Sequence, residues 1–238
     1  ADIVILNTCA VRENAEEKVY GEIGQLKGLK NQKKDMIIAC CGCMIQEAHI
    51  VDKIETSYRY VDLLFGTHNI QDLLSLLEEV YREQKRVIAV ESKSGEVIEN
   101  LPSTRLDSKK AFVNIMYGCD KFCTYCIVPY TRGKQRSRTL EDILLETEDL
   151  IKKGYQEITY LGQNVNAYGK DLPNGVSFST LLEKAALMGV PRIRFTTSHP
   201  WDFSDEMIQV IAKYPNIMPA IHLPVQSGNS DILKLLGR

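Results

Sequence analysis

Three cysteines, Cys119, Cys123 and Cys126, fall within residues 118–133, GCDKFCTYCIVPYTRG, at the spacing C-x3-C-x2-C. Three thiolates so spaced can hold three irons of one [4Fe–4S] cube. The fourth iron is then open to a small molecule, which can bind there and receive an electron. Four-cysteine ferredoxin spacing differs and leaves no iron open. A zinc site would want a fourth Cys or His nearby, and none follows Cys126 locally. The plain alternative is three small core residues. The spacing, with Tyr125 just before the third cysteine, points to the cluster.

Residues 112–116 predict a strand that leads into the loop. Further strands are predicted at 157–161, 192–196 and 220–223, and helices at 140–153, 178–188, 205–213 and 230–236. Thr139 and Ser204 stand where helix caps are needed, with acidic residues following at the positive helix ends. Four βα units of regular length predict a parallel barrel or part-barrel, whose chemistry sits at the C-terminal strand ends. Gly162 and Gln163 end one strand, Ser198 and His199 the next, and Gln226 follows the last. These are candidate ligand contacts, and a satisfied loop residue is the equal alternative for each. Glycine at 162 would let a ligand approach the backbone. Arg194 lies in a strand and can reach a ligand carboxylate or an internal acid. His199 and His222 receive no role as a base. Arg132, Lys134, Arg136 and Arg138 form a basic run beside the cysteine loop. It reads either as a solvated surface or as a contact for nucleic-acid phosphates. Tyr130 is open between stacking on a base and packing.

The first third of the chain repeats the alternation on a smaller scale. Strands are predicted at 2–6, 36–40 and 61–65, the first two buried, and helices at 13–30, 44–54 and 70–84. Such alternation implies a small parallel α/β sheet. Cys9 and Cys43 each fall just past a strand, so they can converge at one sheet edge; buried structural cysteines are the alternative. Cys40 should point into the core, and Cys41 is ambiguous between core and substitute ligand. Residues 85–110 are charged, contain Gly95 and Pro102, and show only a short β-like run at 86–90. They read as a linker between a domain at 1–84 and another at 111–238.

The 238 residues carry a net charge of −2, so overall charge does not advertise a nucleic-acid partner and any such contact must be local. No apolar run is long enough for a membrane span, and the first residues, ADIVILNTC, lack the form of a signal peptide. Seven cysteines, clustered rather than paired, favour metal ligation in a reducing compartment such as the cytoplasm. The chain opens on a strand-like run without Met and stops just after a helix-like one, which reads as a piece of a longer protein.

Several strings together resemble the radical-SAM methylthiotransferases, where SAM is S-adenosylmethionine. Beside the cysteine loop they are NTCAVRENAEEKVYG (7–21), CGCMIQE (41–47), VDLLFGT (61–67), LGQNVNAYG (161–169), RIRFTTSHP (192–200) and HLPVQSG (222–228). ENLPSTR (99–105) and FTTSHPWDF (195–203) are similar to the branch that modifies N6-isopentenyladenosine beside the anticodon of tRNA. Sister branches act on threonylcarbamoyl-adenosine in tRNA or on a ribosomal-protein aspartate.

The resemblance implies an N-terminal α/β domain, a partial radical-SAM (β/α) barrel and a C-terminal RNA-binding domain lying beyond this chain. It implies that Cys119, Cys123 and Cys126 hold the cluster whose open iron chelates SAM, and that a 5′-deoxyadenosyl radical takes hydrogen from carbon 2 of the modified adenine. A second [4Fe–4S] cluster, on Cys9, Cys43 and a cysteine upstream of residue 1, would hold or donate sulfur, and a second SAM would supply the methyl group. Gly162, Gln163, Arg194, Ser198 and Gln226 would contact SAM, and Arg132, Lys134, Arg136 and Arg138 the tRNA. A flavodoxin or ferredoxin would donate electrons to a monomeric enzyme. By itself the piece is not expected to turn over. Rival classes are a non-catalytic iron–sulfur electron carrier and a zinc-binding RNA module.

Overall fold

Four short apolar runs build the first sheet: β1 (Ile3–Thr8), β2 (Ile37–Gly42), β3 (Leu63–Phe65) and β4 (Val87–Ala89). They pair parallel in the order β1-β2-β3-β4. The computed structural model describes residues 1–11, 13–91 and 104–238. It divides into two units, Ala1–Gly95 with Cys126–Gly133, and Glu96–Tyr125 with Lys134–Arg238.

In the first unit, parallel pairing buries β2 on both faces, as its unbroken apolar sequence IIACCG requires. Helices α1 (Glu13–Gln32) and α2 (Ala48–Ser57) cover one face, with Tyr20, Ile23, Ile50 and Ile54 packed with Ile38, Cys40 and Leu64. Helix α3 (Leu73–Glu83) covers the other, with Leu76 and Val80 against Ala39, Cys41, Leu63 and Phe65. Cys40 therefore faces one core, as expected. Cys41 faces the other, the core side of its two readings.

Two expectations change here. β1 is an edge strand, not a buried one. Ile3 and Ile5 are exposed, because α3 packs over the strands beyond β1. The β-like run read as linker is the fourth strand, in register Leu63↔Val87. Its neighbour Arg86 ties it down by donating to the carbonyls of Val61, Tyr58 and Glu55 at 2.8, 3.1 and 3.1 Å. The rest of the expected linker through residue 103, with Gly95 and Pro102, lies outside the described residues. A short helix, α4 (Val128–Thr131), also belongs to this unit.

The second unit has three parallel strands, β5 (Lys110–Asn114), β8 (Glu157–Leu161) and β9 (Arg192–Phe195), in the order β5-β8-β9. A two-stranded antiparallel ribbon, β6 (Met116–Tyr117) with β7 (Arg136–Ser137), brackets the cysteine loop. Helices α5 (Leu140–Lys152), α6 (Phe178–Leu187), α7 (Asp205–Lys213) and α8 (Ser230–Leu235) complete it. Ile143, Leu150, Leu181, Leu182 and Met207 pack on Val113, Ile158, Tyr160 and Ile193. Thr139 and Ser204 cap α5 and α7 as expected, each accepting a backbone N–H at 3.3 Å. Each cap contributes about 1 kcal/mol.

The strand expected at 220–223 does not form. On the side of β9 away from β8, the described residues show a single bridge, Ile193↔Ile217, with Met218 N–H donating to the Ile193 carbonyl at 2.9 Å. Pro219 and Pro224 flank the expected strand, and a proline has no N–H to give a ladder.

Candidate functional site

The cysteine loop leaves the second unit's sheet at Gly118, whose φ of 73° suits glycine. The Gly118 N–H donates to Gln163 Oε1 at 2.7 Å, so the end of β8 holds the start of the loop. Cys119 and Cys123 are each 7% exposed. The Lys121 N–H points at Cys119 Sγ, 3.4 Å away. Asp120 accepts the Gln135 N–H at 3.0 Å, which closes the loop base. Cys126, half-buried, begins the segment that belongs to the first unit.

The loop is also tethered to the end of β9. Asp202, its side chain 2% exposed, takes Lys121 at 3.2 Å and Lys170 at 2.5 Å. Asn164 Nδ2 donates to the same carboxylate at 2.6 Å. Burial pushes the Asp202 carboxyl up, but the bonds from Lys170, Asn164 and Lys121 outweigh it and leave it below the usual range. Asp171 behaves alike. Burial raises it, and donors from Ser137 and Gln135 bring it below its ordinary value. Both carboxylates border a polar cavity of about 200 Å³ at these strand ends. A larger, apolar groove of about 630 Å³ runs along α5 and contains none of the candidate residues.

His199 Nδ1 accepts the Trp201 N–H at 3.2 Å. Burial, then the charges of Arg238 and Lys121, push this imidazole down to about 4, against the opposing pull of Asp202. His199 is therefore neutral at pH 7. Its Nε2, Ser198 Oγ and Asn164 Oδ1 are buried without a hydrogen-bond partner among the described residues. Such atoms are what a bound polar ligand would satisfy. Thr197, just before, holds φ at 70°, an outlier for a β-branched residue. Its N–H donates to His222 Nδ1 at 3.3 Å, while its carbonyl accepts from Val165 at 3.0 Å.

The other expected contacts have these surroundings. A Cβ on Gly162 would meet Met116 Cγ at 2.5 Å, so packing against Met116 by itself favours glycine there. Arg194 pairs with Glu157 at 3.2 Å, the internal-acid alternative. Gln226 is exposed with φ at 68°. In the basic run, Arg138 is a correction. It is buried and bound to Asp142 and Glu146 at 2.5 and 2.7 Å, so it is unavailable to phosphate. Arg136 is half-buried, and burial lowers its guanidinium. Lys134 is exposed. Sequence reasoning missed Asn164, Asp202, Lys121 and Asp171. The first three lie inside strings noted for their resemblance but were not singled out as polar groups that hold the loop and the strand ends.

In the first unit the register Thr8↔Gly42 sets the ends of β1 and β2 side by side, and Cys9 and Cys43 are the next residues. Cys9 is exposed and Cys43 is buried. Gly42, with φ at 99°, makes the turn into Cys43; a Cβ there would strike the Thr8 carbonyl. Thr8 Oγ1 donates to the Cys41 carbonyl at 2.5 Å and locks the two strand ends. Arg132 Nε–H donates to Cys43 Sγ at 3.0 Å.

All seven cysteines are thiols. Their donor chemistry suits iron–sulfur ligation, and the Lys121 N–H on Cys119 is the kind of donor that cluster sulfurs accept. Among the described residues no three His, Cys, Asp or Glu side chains are gathered around one metal-sized point. The assignment therefore rests on the donor set and its spacing. Also among the described residues, no helix is long and apolar enough to cross a membrane.

A parallel α/β unit whose strand ends lead into a C-x3-C-x2-C motif defines a class, and comparison with known proteins agrees. The Radical SAM superfamily model matches residues 113–238, and the chain belongs to that superfamily. Residues 1–66 match Uncharacterized protein family UPF0004. More particularly, the chain is 60% identical over its whole length to a tRNA-2-methylthio-N(6)-dimethylallyladenosine synthase of Staphylococcus saprophyticus, covering 47% of it. It is 59% identical to the synthase of the same name from Staphylococcus aureus, covering 46% of that protein. The chain thus spans about half the length of the curated relatives it matches. Among solved structures it is similar to the radical S-adenosylmethionine methyltransferase TsrM from Kitasatospora setae, with a TM-score of 0.65 and 13% identity. That match covers 98% of this chain and 50% of TsrM, and it speaks to the fold alone.

Proposed function

We propose that this chain is part of a tRNA methylthiotransferase that modifies carbon 2 of N6-isopentenyladenosine. The observation that carries the reading is the cysteine loop at the ends of parallel strands in a chain 60% identical throughout to synthases of that name. When bound, the cluster and SAM would supply the radical that removes hydrogen from an adenine C–H bond too strong for acid–base chemistry.

The residues divide the remaining work. Cys119, Cys123 and Cys126 ligate the SAM-binding cluster. Gln163 fixes the loop through Gly118, and Asp202 fixes it through Lys121. Ser198, Asn164 and His199 offer buried polar atoms to SAM, and neutral His199 does so without adding a positive charge beside the SAM sulfonium. Cys9 and Cys43, with a third cysteine from outside the chain, ligate a second cluster that handles sulfur. Exposed Lys134 is the member of the basic run best placed to meet tRNA phosphate. The reading requires an electron donor of the flavodoxin or ferredoxin type and a cytoplasmic setting, and it treats the enzyme as a monomer.

The test is anaerobic reconstitution of the full-length protein with isopentenylated tRNA, SAM and reductant, followed by mass analysis of the nucleosides. Methylthiolated isopentenyladenosine is expected. Recovery of only unmodified nucleoside, with both clusters loaded and SAM cleaved, would refute the reading.

A further inference from the structure

Sequence position placed Arg132 among candidate phosphate contacts, yet in the first unit its Nε–H is spent on a sulfur. The donor lies 3.0 Å from Cys43 Sγ, and Cys43 is 2% exposed. The contact is held from both sides. On the arginine side, the Thr131 carbonyl accepts from Thr67 Oγ1 at 2.9 Å, and the Arg132 N–H closes α4 on the Val128 carbonyl at 2.8 Å. On the sulfur side, the Gly42 turn and the Thr8–Cys41 bond fix where Cys43 leaves the sheet.

A guanidinium is a permanent charge on a planar donor, so an N–H···S bond from it is both directional and electrostatic. Cluster potentials respond to hydrogen bonds on the sulfurs and to local charge, and outer groups also orient the ligands themselves. A donor that draws electron density from a ligand sulfur favours the reduced, more negative state. We propose that Arg132 is a positioning residue for the cluster on Cys9 and Cys43, and that its bond to the Cys43 sulfur raises that cluster's reduction potential. This rests on the reading that the pair ligates iron.

The experiment uses the full-length protein carrying Cys119→Ala, Cys123→Ala and Cys126→Ala, reconstituted anaerobically so that only the second cluster forms. Iron and sulfide content tests the ligand reading by itself. A folded protein that takes up no cluster ends that reading, and the inference with it. With the cluster present, redox titration followed by electron paramagnetic resonance compares Arg132, Arg132→Lys and Arg132→Gln. The expected result is a lower potential and altered g-values in Arg132→Gln, with Arg132→Lys in between because it keeps the charge but not the planar donor. Equal potentials and spectra in all three would overturn the inference while leaving the ligand reading intact. Loss of the cluster in both variants, with circular dichroism unchanged, would overturn the claim on the potential, since Arg132 would then be needed for the cluster to form at all.

Discussion

The two cysteine sites sit past the C-terminal ends of parallel strands, but the chain assembles them in opposite ways. In the second unit, Cys119 and Cys123 come from one loop, pinned by Gln163 on one side and Asp202 on the other. In the first unit, Cys9 and Cys43 follow different strands and are neighbours only through the register Thr8↔Gly42, which sets the ends of β1 and β2 side by side. A local site is written in the spacing of one motif. A register-built site depends on a whole sheet, and a one-residue slip would dismantle it. The difference also predicts separable failures.

The largest effect is expected at the local site. Cys123→Ala in the full-length enzyme should abolish release of 5′-deoxyadenosine from SAM, measured by chromatography. Cleavage at the parental rate would dissolve the comparison at its stronger end. Cys43→Ala should be equally complete for a different product. It should still yield 5′-deoxyadenosine while methylthiolated nucleoside disappears from the tRNA digest. Loss of both products together would mean the two sites are not separable.

Next in size is Arg138→Ala, which leaves the buried Asp142 carboxylate without its partner. A loss of about 3–5 kcal/mol is expected from urea unfolding. Parental stability would return Arg138 to the surface reading that burial contradicts. A milder effect comes with acid. His199 binds a proton near 6.5 when unfolded but only near 4 when folded. Between those values the unfolded chain holds more protons, so stability falls as pH drops from about 6.5 towards about 4. His199→Gln should flatten that part of a stability–pH curve, and an unchanged slope would contradict the burial argument. The smallest change is expected at Lys134→Gln. The salt dependence of tRNA binding should flatten by under about one unit of log–log slope, the share of one phosphate contact. No change would leave Lys134 as ordinary solvated surface.

Much of this architecture was legible in the sequence, for identifiable reasons. The alternation of apolar strands with helices gave two parallel units, and Thr139 and Ser204 marked helix starts. The cysteine loop was readable because its ligands are neighbours in the chain. What failed was whatever depended on packing between distant residues. The run 86–90 looked like linker because three strand residues carry little signal until β3 is there to pair with them. The run 220–223 looked like strand because its apolar residues outweighed the flanking prolines. Arg138 looked like surface because its acids lie one and two turns along α5, and only the folded helix brings them back to it. Asp202 was invisible because its partners, Lys121, Asn164 and Lys170, are scattered through the sequence.

The double burial of β2 has a practical consequence. Cys40 and Cys41 point to opposite cores, and burial pushes their thiols up to about 12 and about 11. Neither ionises at neutral pH, and neither is within reach of a reagent while the sheet is closed. Exposed Cys9, just past the neighbouring strand, has no such shelter. Among these three thiols, timed alkylation with mass readout would then split into a prompt phase at Cys9 and a delayed phase in which Cys40 and Cys41 react together. The delayed phase would clock how often the sheet opens, giving this unit an internal gauge of its own integrity without any added label.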